Sequence, residues 1–326
     1  MKSTPQLLAF ALSAVLAAAA LLPAAALTPA APAKSAPGKP AISAAQRSFA
    51  SPEEAVKVLV DTVRAADVKG LVAIVGTGSE AWLFTGDNVS DREDWKRFLA
   101  SYDQKSSLAK EGEAKRVLNI GADDWPFPAP IVKKGDRWVF DSAAGREEVT
   151  NRRVGRNELD AIQTLLAVVD AQREYAVADA DRNGYTDYAR RFLSSQGKKD
   201  GLFWPAKAGE PASPLGPLVA VAAKEGYGKK VAAGAPQPYH GYHYRILAAQ
   251  GKDAPGGAYD YLVKDKLLGG FAVVAYPAKY GVSGVMTFMV NHDGVVHEKD
   301  LGSATASAAG GMTRYNPDRT WKKAQP

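Results

Sequence analysis

The sequence predicts an α+β fold arranged as two domains, and three observations carry that expectation. Helical periodicity is concentrated in two regions, one opening near residue 51 and one running over 157–178. Each is followed by β-rich runs, so that helices come first and strands close over them, which is the order of an α+β unit. The composition, 46% hydrophobic and 23% charged over 326 residues, is that of a globular chain with room for two ordinary domains and not many more.

Residues 1–26 read as a secretory leader. Lys2 gives a positive start, 7–22 is an uncharged run rich in Leu and Ala, and Ala24-Ala25-Ala26 supplies the small-residue pattern that a signal peptidase needs. The other reading of the same run is an uncleaved N-terminal anchor. No later segment approaches the roughly eighteen consecutive apolar residues that span a bilayer, so no transmembrane segment is expected once the leader is cleaved. Cysteine is absent, which excludes a lipoprotein anchor and any disulfide. The expected location is periplasmic or secreted.

The net charge of +6 invites a nucleic-acid reading, but Lys2, Lys34, Lys39 and Arg47 stand in the first fifty residues with no acid among them, leaving only +2 on the remainder. A phosphate-binding surface needs Lys and Arg clustered on the folded part, so nucleic acid is not expected as a partner.

Residues 27–48 are Ala, Pro, Ser and Lys with almost no large apolar side chain, and read as a flexible linker. Ser51, Pro52 and Glu54 then form a helix start with a capping box, followed by Val56, Leu59, Val60 and Val63 at helical spacing. A second short helix is expected over 67–75, ended by Gly76 and Gly78, and a partly helical stretch around Trp82, Trp95, Phe98 and Leu99. Runs 113–120 and 131–141 read as strands, with Lys134-Gly135-Asp136-Arg137 as a hairpin turn. The polar, basic stretch 150–156 lacks apolar periodicity and marks the expected boundary between a first domain, 49–150, and a second, 157–318. There Ile162, Leu165, Leu166, Val169 and Ala176 return to one helical face. Strand-like runs follow at 239–248, 271–276 and 284–291, the last leading through Asp293-Gly294 into Val295, Val296 and His297 as a hairpin.

The phrases F-A-S-P-E-E-A-V-K-V-L-V-D-T-V from Phe49, D-W-P-F from Asp124, K-G-D-R-W-V-F-D from Lys134 and D-G-L-F-W from Asp200, with Ser213-Pro214-Leu215-Gly216, resemble an uncharacterised family of exported bacterial proteins, domain of unknown function 2950. That resemblance implies no activity. The first domain also looks like the cone-shaped nuclear-transport-factor-2-like superfamily, which implies helices closing one side of a curved sheet around a pocket. The second is similar to the globular part of type IV pilins and pseudopilins, which implies a long helix and an antiparallel meander. It departs from them in having that helix behind another domain, so filament assembly by helix packing is not implied.

One local pattern has metal-binding logic. Asp179, Asp181, Asn183, a carbonyl at Tyr185 and Asp187, with Gly184 at the turn, correspond to the first nine places of a calcium loop, although the twelfth, normally Glu, is Arg190. Calcium is the one cofactor the chain suggests; the competing reading is a helix-ending turn built on Asn183-Gly184. His240 with His243, and His292 with His297, are spaced so that each pair falls on opposite strand faces, and they are expected at the surface or at strand ends. Ser107-Leu108-Ala109-Lys110 matches S-x-x-K without companion motifs and is taken as a solvated helix face. Trp82, Trp95, Trp125 and Trp138 are expected to fill core, Phe203-Trp204-Pro205 to lie at the surface, and Tyr242 and Tyr244 to share one strand face that is core or a ledge for a ligand, with core favoured. No catalytic constellation is recognisable. The expected function is a non-catalytic exported protein that binds or scaffolds an envelope protein or small ligand. The alternative is a periplasmic hydrolase or isomerase working in a first-domain pocket, with Asp123, Asp124 and Asp141 as candidate acids.

Overall fold

Ser51 opens the helical part of the chain as its periodicity requires. Its hydroxyl accepts the Glu54 N–H at 3.1 Å while the Glu54 carboxylate reaches back to the Ala50 N–H at 2.7 Å, so the first turn of α1 (Pro52–Arg64) leaves few donors unpaired. α1 buries Ala55, Val56, Leu59, Val60 and Val63 as one stripe, worth roughly 1.5–3 kcal/mol for each large side chain. Asp67 caps α2 (Val68–Val75) through the Gly70 N–H. The partly helical stretch resolves into a single turn, α3 (Glu80–Leu83), and α4 (Asn88–Gln104), which Asp87 caps. The computed structural model describes residues 46–76, 78–207, 209–228 and 237–325. The expected leader, and the expected linker up to residue 45, lie outside the described residues. Gln46 is already tied down, its amide donating to the carbonyls of Ile74 and Phe140 at 3.0 and 2.7 Å, so order starts ahead of Phe49.

Five antiparallel strands follow: β1 (Ser106–Lys110), β2 (Lys115–Ile120), β3 (Trp125–Pro126), β4 (Ile131–Lys134) and β5 (Arg137–Phe140). Their order is β1-β2-β4-β5, with β3 paired to β2. The run expected as one strand over 131–141 is two, because Gly135 at φ +60° turns the chain and sets Lys134 opposite Arg137. Ser107 to Lys110 lies in β1, paired residue for residue with β2, and not on a helix; on a strand Ser107 and Lys110 face opposite ways. Phe49, Leu59, Ile74, Leu118, Ile131 and Phe140 are among the most deeply buried large members of the core between these helices and this sheet.

Asp141 caps α5 (Ser142–Ala178), 37 residues and so about 55 Å long, by accepting the N–H groups of Ala143 and Ala144. The expected start at 157 is therefore corrected by fifteen residues' worth of unbroken helix. Residues 150–156 show no apolar stripe because their basic side chains meet carbonyls, carboxylates and a cavity instead of a hydrocarbon core. Despite its length α5 is too polar to cross a membrane, and no helix among the described residues is long and apolar enough to do so.

The C-terminal half of α5 buries Ile162, Leu165, Val168, Val169 and Tyr175 against a second antiparallel sheet. After α6 (Gly216–Glu225) come β6 (Tyr242–Leu247), two small hairpins, β7 (Ala249–Gln250) with β8 (Tyr259–Asp260) and β9 (Leu262–Val263) with β10 (Lys266–Leu267), then β11 (Ala272–Pro277), β12 (Met286–Asn291), β13 (His297–Asp300), α7 (Thr305–Gly310) and β14 (Lys322–Lys323). The large sheet has the order β14-β13-β12-β11-β6. Ala272, Val273, Val274 and Ala275 are all fully buried, so β11 is covered on both faces, with α5 and α7 packed against it. The chain is thus a mixed α+β protein with two open sheets.

Short polar contacts join the two halves. Asp87 Oδ2 accepts the Tyr227 hydroxyl at 2.8 Å and the Gly241 N–H at 3.2 Å while Oδ1 caps α4. Asn157 donates to the Ser283 carbonyl at 2.8 Å, and Glu158 accepts the N–H groups of Val285 and Met286 at 2.9 and 3.0 Å. Lys279 reaches the Ala81 carbonyl.

Candidate functional site

A cavity of about 970 Å³ lies between α1, α2, α4, the first sheet and the N-terminal half of α5. This is near the top of the roughly 300–1,000 Å³ range that holds small-molecule ligands. Its floor is core: Leu59, Ile74 and Phe140 are buried there by the apolar stripe of α1, by α2 and by β5. Trp82, Trp95 and Phe98 make half-buried walls, and Trp125, 57% exposed, stands at the rim. The glycine at 145 lets α5 approach so closely that a Cβ there would meet the Ala129 Cβ at 2.8 Å.

Four arginines enter the same lining: Arg97 from α4, and Arg152, Arg153 and Arg156 from α5. Arg97 and Arg156 share one carboxylate, Asp94, with Arg156 at 2.8 Å. Arg152 pairs with Glu148 at 2.6 Å, donates to the Pro126 carbonyl at 3.1 Å and lies over the Trp125 ring at 5.1 Å. Arg153 is buried and donates to the carbonyls of Trp82 and Leu83 at 2.7 and 3.0 Å, closing the end of α3. Burial pulls the Arg153 pKa below its usual value, with Asp91 and then Asp94 opposing.

Behind that guanidinium, Asp91 is buried and accepts the Thr85 hydroxyl at 3.0 Å. Burial pushes its pKa up to about 6, against the pull of Arg153 and of the Thr85 hydrogen bonds. Between about pH 4 and 6 the folded chain therefore holds a proton that the unfolded chain has released, so this group's contribution to stability falls as pH rises through that window. Asp91→Asn removes the titration. The stability of the variant relative to the parent is expected to rise by about 2 kcal/mol between pH 4 and pH 7. Urea melts of both proteins at the two pH values measure this, and a constant difference would refute it.

Most of the candidates suggested by the sequence lie elsewhere. Of the three candidate acids only Asp123 lines the cavity; Asp124 pairs with Lys105 at 2.7 Å, and Asp141 is the α5 cap. In the loop after α5, Asp179 accepts the N–H groups of Asn183 and Gly184, and the Asn183 amide donates to Asp181 at 2.7 Å and to Asp187 at 2.8 Å. Those four side chains come together, while the Tyr185 ring is exposed with Lys266 over it and Arg190 pairs with Asp265. Among the described residues no group of three or more His, Asp or Glu side chains is arranged to hold a metal ion.

The expectations for Trp82, Trp95, Trp125 and Trp204 need correction, while those for Trp138 and Tyr242 hold. Trp138 fills core, but Trp82, Trp95 and Trp125 line the cavity, and Trp204 is buried and not at the surface. Tyr242 is wholly buried, its hydroxyl donating to the Met286 carbonyl. The histidines are half-buried against tyrosine rings: His240 on Tyr239, His243 on Tyr276, His292 on Tyr261 and His297 on Tyr315. The cavity arginines were hidden from sequence reasoning by the apparent gap at 150–156. Arg152 and Arg156, one helical turn apart, were the available signal.

Residues 46–324 match the family described as "Protein of unknown function (DUF2950)". The chain belongs to that family. The matched residues span both sheets, α5 and the cavity lining. No curated protein and no solved structure matches the chain.

Proposed function

We propose that this DUF2950 protein is a non-catalytic exported binding protein that holds a small apolar ligand in the cavity of its first half. The observation that carries this reading is the lining: Trp82, Trp95 and Phe98 beside the buried Leu59, Ile74 and Phe140, with the charged side chains contributed mainly by α4 and α5. The leader-like start and the absence of cysteine support a periplasmic or secreted location. The hydrolase or isomerase alternative has less support. No histidine lines the cavity, Asp94 is bound by two arginines, and Asp123 has no second acid or base beside it in the lining.

Val149 lines the cavity from α5, and Val149→Trp would narrow it by the bulk of an indole ring. An environment-sensitive apolar dye such as N-phenyl-1-naphthylamine is expected to bind the full chain with one site and to quench its tryptophans, since three of them line the cavity. That binding should fall at least about tenfold in Val149→Trp with the melting temperature little changed. Dye binding that survives the substitution would place the site elsewhere and sink the reading.

A further inference from the structure

The cavity carries more charge than a store for plain hydrocarbon needs. We infer that its ligand is an anionic amphiphile, an apolar body bearing one carboxylate, sulfonate or phosphate head, seated with the head against the arginines of α4 and α5. This rests on the binding reading above and names the ligand class for the same site.

Four guanidiniums enter the lining with the carboxylates of Asp94 and Asp123, while Glu148 pairs with Arg152 and Asp91 acts on Arg153 from outside it. Asp94 is already divided between Arg97 and Arg156, so neither cation is neutralised by a partner of its own. Arg153 is hydrogen-bonded to two carbonyls, which carry no net charge, and Asp91 stands behind it. Arg152 pairs with Glu148 and lies over the Trp125 ring. Low-dielectric walls concentrate the field of these groups into the cavity, and a guanidinium offers a planar fork that matches an oxyanion. A cationic amphiphile would meet repulsion from the same face, and a neutral one would leave the arginines without new partners.

The apolar part has its own place. Leu59, Ile74 and Phe140, all buried, line the same cavity, and against them a chain or ring exchanges water for hydrocarbon contact. Charged side chains from α4 and α5 and buried apolar ones from α1, α2 and β5 share one lining, which suits a molecule with a charged head and an apolar body.

The test uses the full chain and three probes with the same twelve-carbon tail, dodecanoate, dodecan-1-ol and dodecyltrimethylammonium, each below its micellar concentration. Tryptophan quenching and calorimetry report binding. Dodecanoate is expected to bind at least about tenfold more tightly than the alcohol, with the ammonium weakest. Two variants should move this preference in opposite directions. Arg156→Gln removes a cation and should lower the dodecanoate-to-dodecanol ratio by about fivefold or more; Asp94→Asn frees two guanidiniums and should raise it. Opposite signs cannot come from a general loss of folding. Equal affinity for acid and alcohol, or a preference for the ammonium, would overturn the ligand class and leave the binding reading standing. No binding of any of the three, with the dye also unbound, would overturn both.

Discussion

Asp87→Ala is expected to destabilise the chain by about 3–4 kcal/mol, which at this size lowers the melting temperature by roughly 10 °C. The carboxylate is 1% exposed and makes four hydrogen bonds at once. Oδ1 satisfies the N–H groups of Val89 and Ser90 at the start of α4, and losing such a cap costs about 1 kcal/mol. Oδ2 accepts from Tyr227 and Gly241, which belong to the other half of the fold. Without it the buried Gly241 N–H and the largely buried Tyr227 hydroxyl lose their acceptor, at about 1–3 kcal/mol for a fully buried donor. Burial first, and Asp87 second, raise the Tyr227 pKa, so the phenol stays protonated and remains a donor at any working pH. Asp87→Asn keeps one acceptor oxygen and should lose about half as much. Denaturant melts at neutral pH decide the matter: a loss below about 1 kcal/mol for Asp87→Ala would mean that the junction does not depend on this carboxylate.

How much of this was legible beforehand follows from the range over which each signal acts. Ser51, Asp67 and the stripe from Ala55 to Val63 act within a few residues, and the sequence identified α1 and α2 to within a residue of their ends. The three strands of the second sheet that carry apolar runs were legible for the same reason, while β14, two lysines opposite His297 and Glu298, has no pattern of its own and forms only because β13 offers an edge. The cavity was not legible, because a void has no sequence signature. Trp82 and Trp95 look the same in a string of letters whether they fill a core or line a pocket. Arg153 was hidden within the basic stretch 150–156 for a physical reason that is specific to its place. It is buried in a helix where burial is ordinarily apolar, and the two carbonyls that make this tolerable lie about seventy residues away on α3. Asp87, Tyr227 and Gly241 form one cluster from three distant segments, and long-range polar junctions of that kind leave no periodic trace.

Gly241→Ala should cost a further large amount at the same junction, about 2–5 kcal/mol, for two separable reasons. The residue sits at φ +73°, a left-handed conformation that costs a side-chain-bearing residue about 1–2 kcal/mol. An added Cβ would also stand 2.6 Å from Asn157 Nδ2 and 3.0 Å from the Ser283 Cβ, inside a packed region where Asn157 is fully buried and anchored to the Ser283 carbonyl. Gly257→Ala is the control for the first term, since that glycine has φ +79° and nothing within 4 Å of the Cβ position; it should lose only about 1 kcal/mol. Asn157→Ala tests the second term. It removes the amide that the new methyl would strike, and because Asn157 Oδ1 already has no partner, the single substitution should be milder than the loss of a fully bonded buried amide. The double variant should therefore lose clearly less than the two singles combined, a coupling of about 1–2 kcal/mol measured by a double-mutant cycle in urea. Strict additivity would show that the backbone conformation alone, and not the close approach of α5 to this turn, is what demands glycine at 241.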